Sequence, residues 1–463
     1  MRQEARDPAR DYAEFVSEIR FDALPRSVVD TVKLFILDTL GVTLAGTTAP
    51  ACAELVAQVR EWGGTPESSL VNFGGKVPVP HAALVNATLA EARDFDDTYD
   101  AGIVHVMAPT VLSALAMSER IGGVSGREVI AAVTGGAEIM CRIGAGCRSP
   151  LTWTRTATTG GFAAAAVCSR LLGYSADAVN HALGIAYVQA AGNSQTVEDG
   201  ALVKRMQVGF AARAGVVAAQ LAGRGVTGPL RVFEGKHGYF TLYERGDYNR
   251  APLTDGLGER YEVGRLSVKP YPCARDSHAA IDAARTLRET GVAPDEIVEV
   301  TVMASRAMIN IGGKPWASVT GNPVVEAILS MPFAVAVMLL RGDLFIGDFD
   351  RDAVLDPEVT ALARRVSVVE DPDIDPSALV PVTIEARLRS GELRSAKCER
   401  MRGSPDAMLS REEFIAKFRR CAEYALRPVS SDRLDRLIER VLDLENVKDV
   451  SELTRLLDGA SRE

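Results

Sequence analysis

Residues 160–172 read GGFAAAAVCSRLL and residues 209–221 read GFAARAGVVAAQL. Glycine lowers helix propensity by about 1 kcal/mol against alanine, so helix formation alone does not explain such runs. Side chains this small let two helices approach closely, which suits the buried centre of a helical bundle. Outward from these runs, residues 10 to about 245 read as helix with short breaks. Val28, Val29, Val32, Phe35, Ile36, Leu37 and Leu40 recur at helical spacing behind Pro25.

The character changes near residue 265. Residues 297–302 (IVEVTV) and 382–388 (VTIEARL) alternate as strands do, the second before a turn at Ser390-Gly391. Residues 366–369 (VSVV) form a shorter candidate, and helical runs lie at 277–290 and 324–341. Helical periodicity returns over residues 411–424 and 431–444. The expected fold is mainly α with a smaller α+β domain. A large all-helical domain is expected from both chain ends (1–266 and 399–463), with an inserted lid domain over 267–398.

The chain has 463 residues, enough for two or three domains. A net charge of −9 with no Lys/Arg cluster argues against nucleic acid, and any anion site must be built locally. The seven cysteines are scattered and form no CxxC pair, so they read as reduced thiols without a zinc site. The polar N-terminus does not read as a signal peptide, and no apolar run reaches about 18 residues. These features point to a cytoplasmic protein without a membrane segment.

The densest chemistry lies at Asp94-Phe95-Asp96-Asp97-Thr98-Tyr99-Asp100, followed by His105. Four carboxylates and one imidazole fall within twelve residues, in a chain with five histidines. Asp96 to Asp100 spells DDxxD, a pattern by which helical prenyl diphosphate enzymes hold magnesium. A second acidic motif is missing, and aromatics make up 6% of the chain, few for a carbocation pocket. GxGxxG after a strand, the P-loop, GxSxG and HExxH are missing too. Proton transfer explains more: a carboxylate beside a histidine orients it and sets its charge near neutral pH. No metal is expected.

Taken with other segments, the chain resembles the MmgE/PrpD family. The matching segments are LDTLGVTLAG (37–46), the stretch from Asn86 through Asp97-Thr98 to His105, TTGGFAAAA (158–166), GALVKRMQVG (200–209) and KPYPCARDSHAAID (269–282). They stand in the family's order over most of the chain. The family includes 2-methylcitrate dehydratase, cis-aconitate decarboxylase and an iminodisuccinate epimerase. The resemblance implies a homodimer, chemistry without a cofactor, and a small di- or tricarboxylate substrate. It implies a dehydratase-like lyase first, with epimerisation or decarboxylation behind, and a binding homologue or a magnesium-dependent prenyl enzyme as more distant alternatives.

It also places residues. Asp94, Thr98, His105 and Lys204 fall on active-site positions, and the loop from Lys269 to His278 is expected to bring the lid to the same cleft. Removing a proton beside a carboxylate builds negative charge, which needs a base and a nearby cation. His105 is the expected acid/base, Asp94 its orienting group, and Lys204 the cation, with Arg205 as its exposed neighbour. Thr98, Thr154, Arg155, Thr158, Lys269, Arg275 and His278 are expected substrate-binding residues, His278 alternatively serving to fix the lid loop. Thr158-Thr159-Gly160-Gly161 is expected to precede a helix, as an anion site or a plain cap. Many members carry a histidine where this chain has Thr154, and decarboxylase-like members carry one at Ala274. A threonine hydroxyl cannot replace an imidazole in proton transfer, so the resemblance points away from 2-methylcitrate itself.

Overall fold

The computed structural model describes residues 6–316 and 322–459. Two compact units emerge: residues 1–92, 96–267 and 410–463 form the first, and residues 93–95 with 268–409 the second. The chain thus returns to the first unit at Ser410 rather than at 399, and Arg93 to Phe95 belong with the second unit.

The first unit is helical. Its main helices are α1 (Pro8–Glu18), α2 (Arg26–Gly46), α3 (Val79–Glu91), α4 (Met107–Ile121), α5 (Gly126–Gly146), α6 (Arg155–Leu171), α7 (Ala176–Tyr187) and α8 (Gln207–Ala222). Helices Arg411–Ala422 and Ser431–Leu442 complete it. From Phe35 to its end α2 is buried all round, and its hydroxyls must therefore bond internally. Thr39 and Thr43 donate to carbonyls one turn back, at Phe35 and Thr39.

The two small-residue runs lie inside α6 and α8, and their backbones touch. A Cβ on Gly215 would stand 2.5 Å from the Gly161 carbonyl oxygen and 2.5 Å from Ala164 Cβ. On its other flank α8 meets α3: a Cβ on Gly209 would lie 2.3 Å from the Leu84 carbonyl oxygen. The glycines cost helix propensity and return it as close packing. The TTGG segment sits within α6 rather than before it, because the helix already starts at Arg155 with Thr154 as its N-cap.

Helix α5 has 21 residues and is apolar enough to cross a membrane, contrary to the expectation that no such run exists. Here it is a core helix with 94% of its apolar window buried. Arg142 near its end is fully buried, paired with Glu138 at 2.8 Å. The rest of that guanidinium donates to the carbonyls of Pro252, Asp255, Gly256 and Arg260. One buried side chain thereby organises the short helix Ala251–Thr254 and the turn that follows it.

The second unit holds a four-stranded sheet of β1 (Ile297–Ala304), β2 (Val366–Glu370), β3 (Val382–Leu388) and β4 (Leu393–Cys398), in the order β2-β1-β3-β4. β1 and β2 run parallel, and the other pairs antiparallel. Val300, Val302, Val382, Ile384 and Ala386 enter the core with helices α9 (His278–Glu289) and α10 (Met331–Arg341). The run expected over 324–341 is two helices. Ser330 interrupts it, accepting from the Phe333 N–H as an N-cap, and Pro332 fits the first turn of the new helix. β4 escapes the sequence pattern because it is an edge strand with only Cys398 buried; Arg394 and Lys397 mark its open side.

Gly215→Ala is expected to cost about 1–3 kcal/mol by overpacking the α6–α8 contact. Gly264→Ala is its control, since nothing lies within 4 Å of the added methyl. Urea unfolding of both variants beside the parent chain checks the difference.

Candidate active site

Helix α3 ends at Glu91, and a tight loop then turns the chain back on itself. Thr98 and Ser267 bond reciprocally through their backbones, at 2.9 and 2.7 Å. The Tyr99 N–H donates to the Val104 carbonyl at 2.8 Å, closing a small loop in which Ile103 takes a positive φ of 54°. Gly102 in that loop packs on α5, where a Cβ would lie 2.9 Å from Gly144 Cα. The fold-back delivers His105 beside the carboxylates that precede the loop.

Asp97 fixes the end of this turn. Its two oxygens accept the N–H groups of Val106 and Met107, at 3.0 and 2.9 Å, at the head of α4. Burial, followed by the charge of Asp96, pushes its carboxyl up to about 7, while the two N–H bonds pull the other way. Asp100 accepts from the Thr98 and Ser267 hydroxyls, at 2.8 and 2.7 Å. The three aspartates of the DDxxD spelling therefore serve different partners on a turn. They do not line one face of a helix, as a diphosphate-binding magnesium pair requires.

His105 Nδ1 lies 3.2 Å from Asp96 Oδ1 and 3.9 Å from Glu91 Oε2. The imidazole is 20% exposed, whereas Asp96 and Glu91 are buried. This is a contact of charge and proximity rather than a hydrogen bond of ordinary geometry. Glu91 Oε1 accepts from Lys204 Nζ at 3.0 Å, so the two expected proton-handling groups meet through one carboxylate. The His105 backbone N–H donates to Thr156 Oγ at 3.0 Å, tying the ring's main chain to the first turn of α6. Glu91, Asp96 and His105 bring three ligand-type atoms within 4.8 Å of one another and could hold a divalent cation; Lys204 already supplies positive charge at Glu91.

Several expectations are corrected by this geometry. Asp94 stands in the second unit, where Oδ1 accepts from Lys269 Nζ at 2.8 Å. Within the first unit, Asp96, two residues on, is the aspartate beside His105. Arg205 is not the exposed neighbour: it is buried and donates to the Pro50 carbonyl, while the Lys204 side chain is 28% exposed. The Arg155 guanidinium is buried, with its donors on the carbonyls of Ser149 and Gly102. Thr158 bonds the Tyr239 hydroxyl at 2.9 Å, and Thr154 Oγ faces Gln207 Nε2 at 3.4 Å. Glu91 and Thr156 had not been singled out. The trace of Glu91 in the sequence is the one charged carboxylate of a mostly apolar helix, VPHAALVNATLAE, at its last position.

In the second unit Lys269 is almost fully buried and also donates to the Asp94 carbonyl at 2.9 Å. Asp276, buried beside this pair, is pushed up to about 7 by burial and then by the charge of Asp94. Arg275 Nη1 lies 3.5 Å from His278 Nδ1, and His278 Nε2 lies 3.2 Å from the Cys273 carbonyl. Burial first and Arg275 second hold this imidazole well below the ordinary histidine value. Neutral His278, accepting at Nδ1 and donating at Nε2, fastens the turn.

Two family models match the chain. The MmgE/PrpD N-terminal domain covers residues 10–251 and the MmgE/PrpD C-terminal domain covers residues 271–444. A cis-aconitate decarboxylase-like protein, oryM, of Aspergillus oryzae is 27% identical over 97% of both chains. The human cis-aconitate decarboxylase is 27% identical over 97% of this chain and 94% of its own. The 2-methylcitrate dehydratase of Cupriavidus necator is 24% identical over 79% of this chain and 78% of its own.

Asp97 gives a pH test. Its carboxyl holds a proton in the fold up to about pH 7, whereas the unfolded chain gives it up near 4. Its contribution to stability is therefore full below pH 4 and falls as pH rises to 7. The advantage of the parent chain over Asp97→Asn is expected to shrink over that range by up to about 4 kcal/mol. Urea midpoints at stepped pH values measure it.

Proposed function

Since the chain belongs to the MmgE/PrpD family, we propose that it is a lyase moving a proton at a carbon beside a carboxylate of a small di- or tricarboxylic acid. The observation that carries this reading is the contact of His105 Nδ1 with Asp96 at 3.2 Å, with Lys204 joined to the same group through Glu91. Asp96 lies against the Nδ1 side of the ring, Nε2 exchanges the proton with the substrate, and the imidazolium is the acid of the protonation step. Lys204 offsets negative charge as it grows on the substrate.

Decarboxylation is the leading reaction. Relatives named for it align over nearly the whole chain, whereas the dehydratase relatives align over about four-fifths. In such a step the bond to the departing carboxylate breaks, carbon dioxide leaves, and the electron pair stays on carbon, delocalised toward a neighbouring carboxylate. His105, carrying as imidazolium a proton taken from water, gives that proton to the carbon. Dehydration is the second reading, since it starts from the same kind of carbanion. Lys269 and Arg275 are the cations we propose for carboxylate recognition in the second unit. A cytoplasmic homodimer working without metal or organic cofactor completes the proposal, on the strength of the family resemblance.

The test is turnover of cis-aconitate, methylcitrate, citrate and iminodisuccinate in deuterated water, followed by proton NMR with and without EDTA. Carbon dioxide release with deuterium incorporation is expected from cis-aconitate, unaffected by EDTA. His105→Ala is expected to lose about 10²–10⁴-fold in kcat, and Asp96→Asn a smaller factor. Full activity in His105→Ala, or no exchange with any of the four acids, defeats the proposal; loss with EDTA defeats its metal-free form.

A further inference from the structure

Between α7 and α8 the chain runs through a strap, residues 188–206, whose only helical turns are Gln195–Glu198 and Leu202–Met206. The strap carries Lys204, and Gln207 follows it as the first residue of α8. Gln207 is 7% exposed, and both ends of its amide are used. Oε1 accepts the Asn193 N–H at 2.8 Å. Nε2 donates to Thr196 Oγ at 2.9 Å and lies 3.4 Å from Thr154 Oγ. Two of these partners are on the strap, and the third caps α6, the helix whose Thr156 holds the His105 backbone.

The fit around this amide is close. Gly192 takes a φ of 139°, and a Cβ there would stand 2.9 Å from Gln207 Oε1 and 2.4 Å from Ala157 Cβ. The strap thus lies against α6 with no room for a side chain at Gly192, and the Gln207 amide forms the polar joint beneath it. Asn193 and Gln195 are exposed and Thr196 is only half-buried, so little apolar packing secures the strap at this point.

We infer that Gln207 is a positioning residue for Lys204. By bolting the strap to the head of α6, its amide sets how Lys204 reaches Glu91, and hence its register with His105. A hydrophobic residue of the same size fills the space but leaves the Asn193 N–H and two hydroxyls to water, so the strap loosens. For its catalytic consequence the inference rests on the proposed roles of His105 and Lys204, but the joint itself is tested without turnover.

The experiment compares the full chain with Gln207→Leu, Thr196→Val and Glu91→Gln. Lysines are labelled by reductive methylation and quantified by peptide mass spectrometry, beside amide hydrogen exchange over residues 193–204. In Gln207→Leu, Lys204 is expected to label several-fold faster, as in Glu91→Gln, while the exposed Lys236 and Lys448 keep their rates. Amides 193–201 are expected to exchange faster. Thr196→Val removes a single hydroxyl at a half-buried site and is expected to show a smaller increase; it carries the test if Gln207→Leu does not fold. Unchanged labelling of Lys204 in both variants overturns the inference. Turnover of cis-aconitate separates the two readings. A lower kcat at similar KM supports the catalytic consequence, whereas faster labelling with unchanged kcat leaves the joint standing and removes Lys204 from the chemistry.

Discussion

Two backbone N–H groups at the start of α4 govern the geometry of the site. A helix start leaves such donors without partners inside the helix, and here Asp97 takes both. Because the acceptor lies nine or ten residues before its donors, the bond does more than cap a helix. It closes the loop between Asp96 and Val106 and sets His105 next to the carboxylate it left behind. The backbone bridge from Tyr99 to Val104 and the Thr156 hydroxyl on the His105 N–H reinforce the same closure.

That loop needs a firm floor, and the small-residue helices provide it. Close contact of α6 with α8, and of α8 with α3, sets three helix ends near one another. α3 contributes Glu91 at its last residue, α6 contributes Thr154 and Thr156 at its head, and α8 begins at Gln207, just after Lys204. Functional side chains at helix ends are steered by helix packing, so a bulkier residue at Gly161 or Gly215 would act on the site from a distance.

The periodic parts of this fold were legible from the sequence: the helical unit from both chain ends, the alternating strands near 300, 366 and 384, and the inserted mixed unit. The places that escaped have physical reasons. The break at Ser330 hides inside an apolar run, where only a serine followed two residues on by proline signals a new helix. β4 has an exposed edge pattern, and α5 is long and apolar enough to cross a membrane because it is buried in the core on nearly every side. In the site, the aspartate cluster pointed to His105 and the family resemblance to Lys204 and Asp94, while neither singled out Asp96 as the neighbour of His105. Asp94 and Ile103 both adopt positive φ, and such turns send neighbouring aspartates in directions that no helical or strand period encodes. Glu91 was missed because a lone carboxylate at the end of an apolar helix has the look of a solvated terminus.

Among the four groups that meet in the first unit, the charges can be added. Asp96 and Glu91 bring −2 and Lys204 brings +1, so the set stands at −1 with a neutral His105 and at zero with an imidazolium. From these four groups alone, another carboxylate gains no net positive charge unless a proton comes with it. For the proposed chemistry, ligand entry and proton entry would then be two faces of one event, with the imidazolium as counter-ion of the complex before it is its acid.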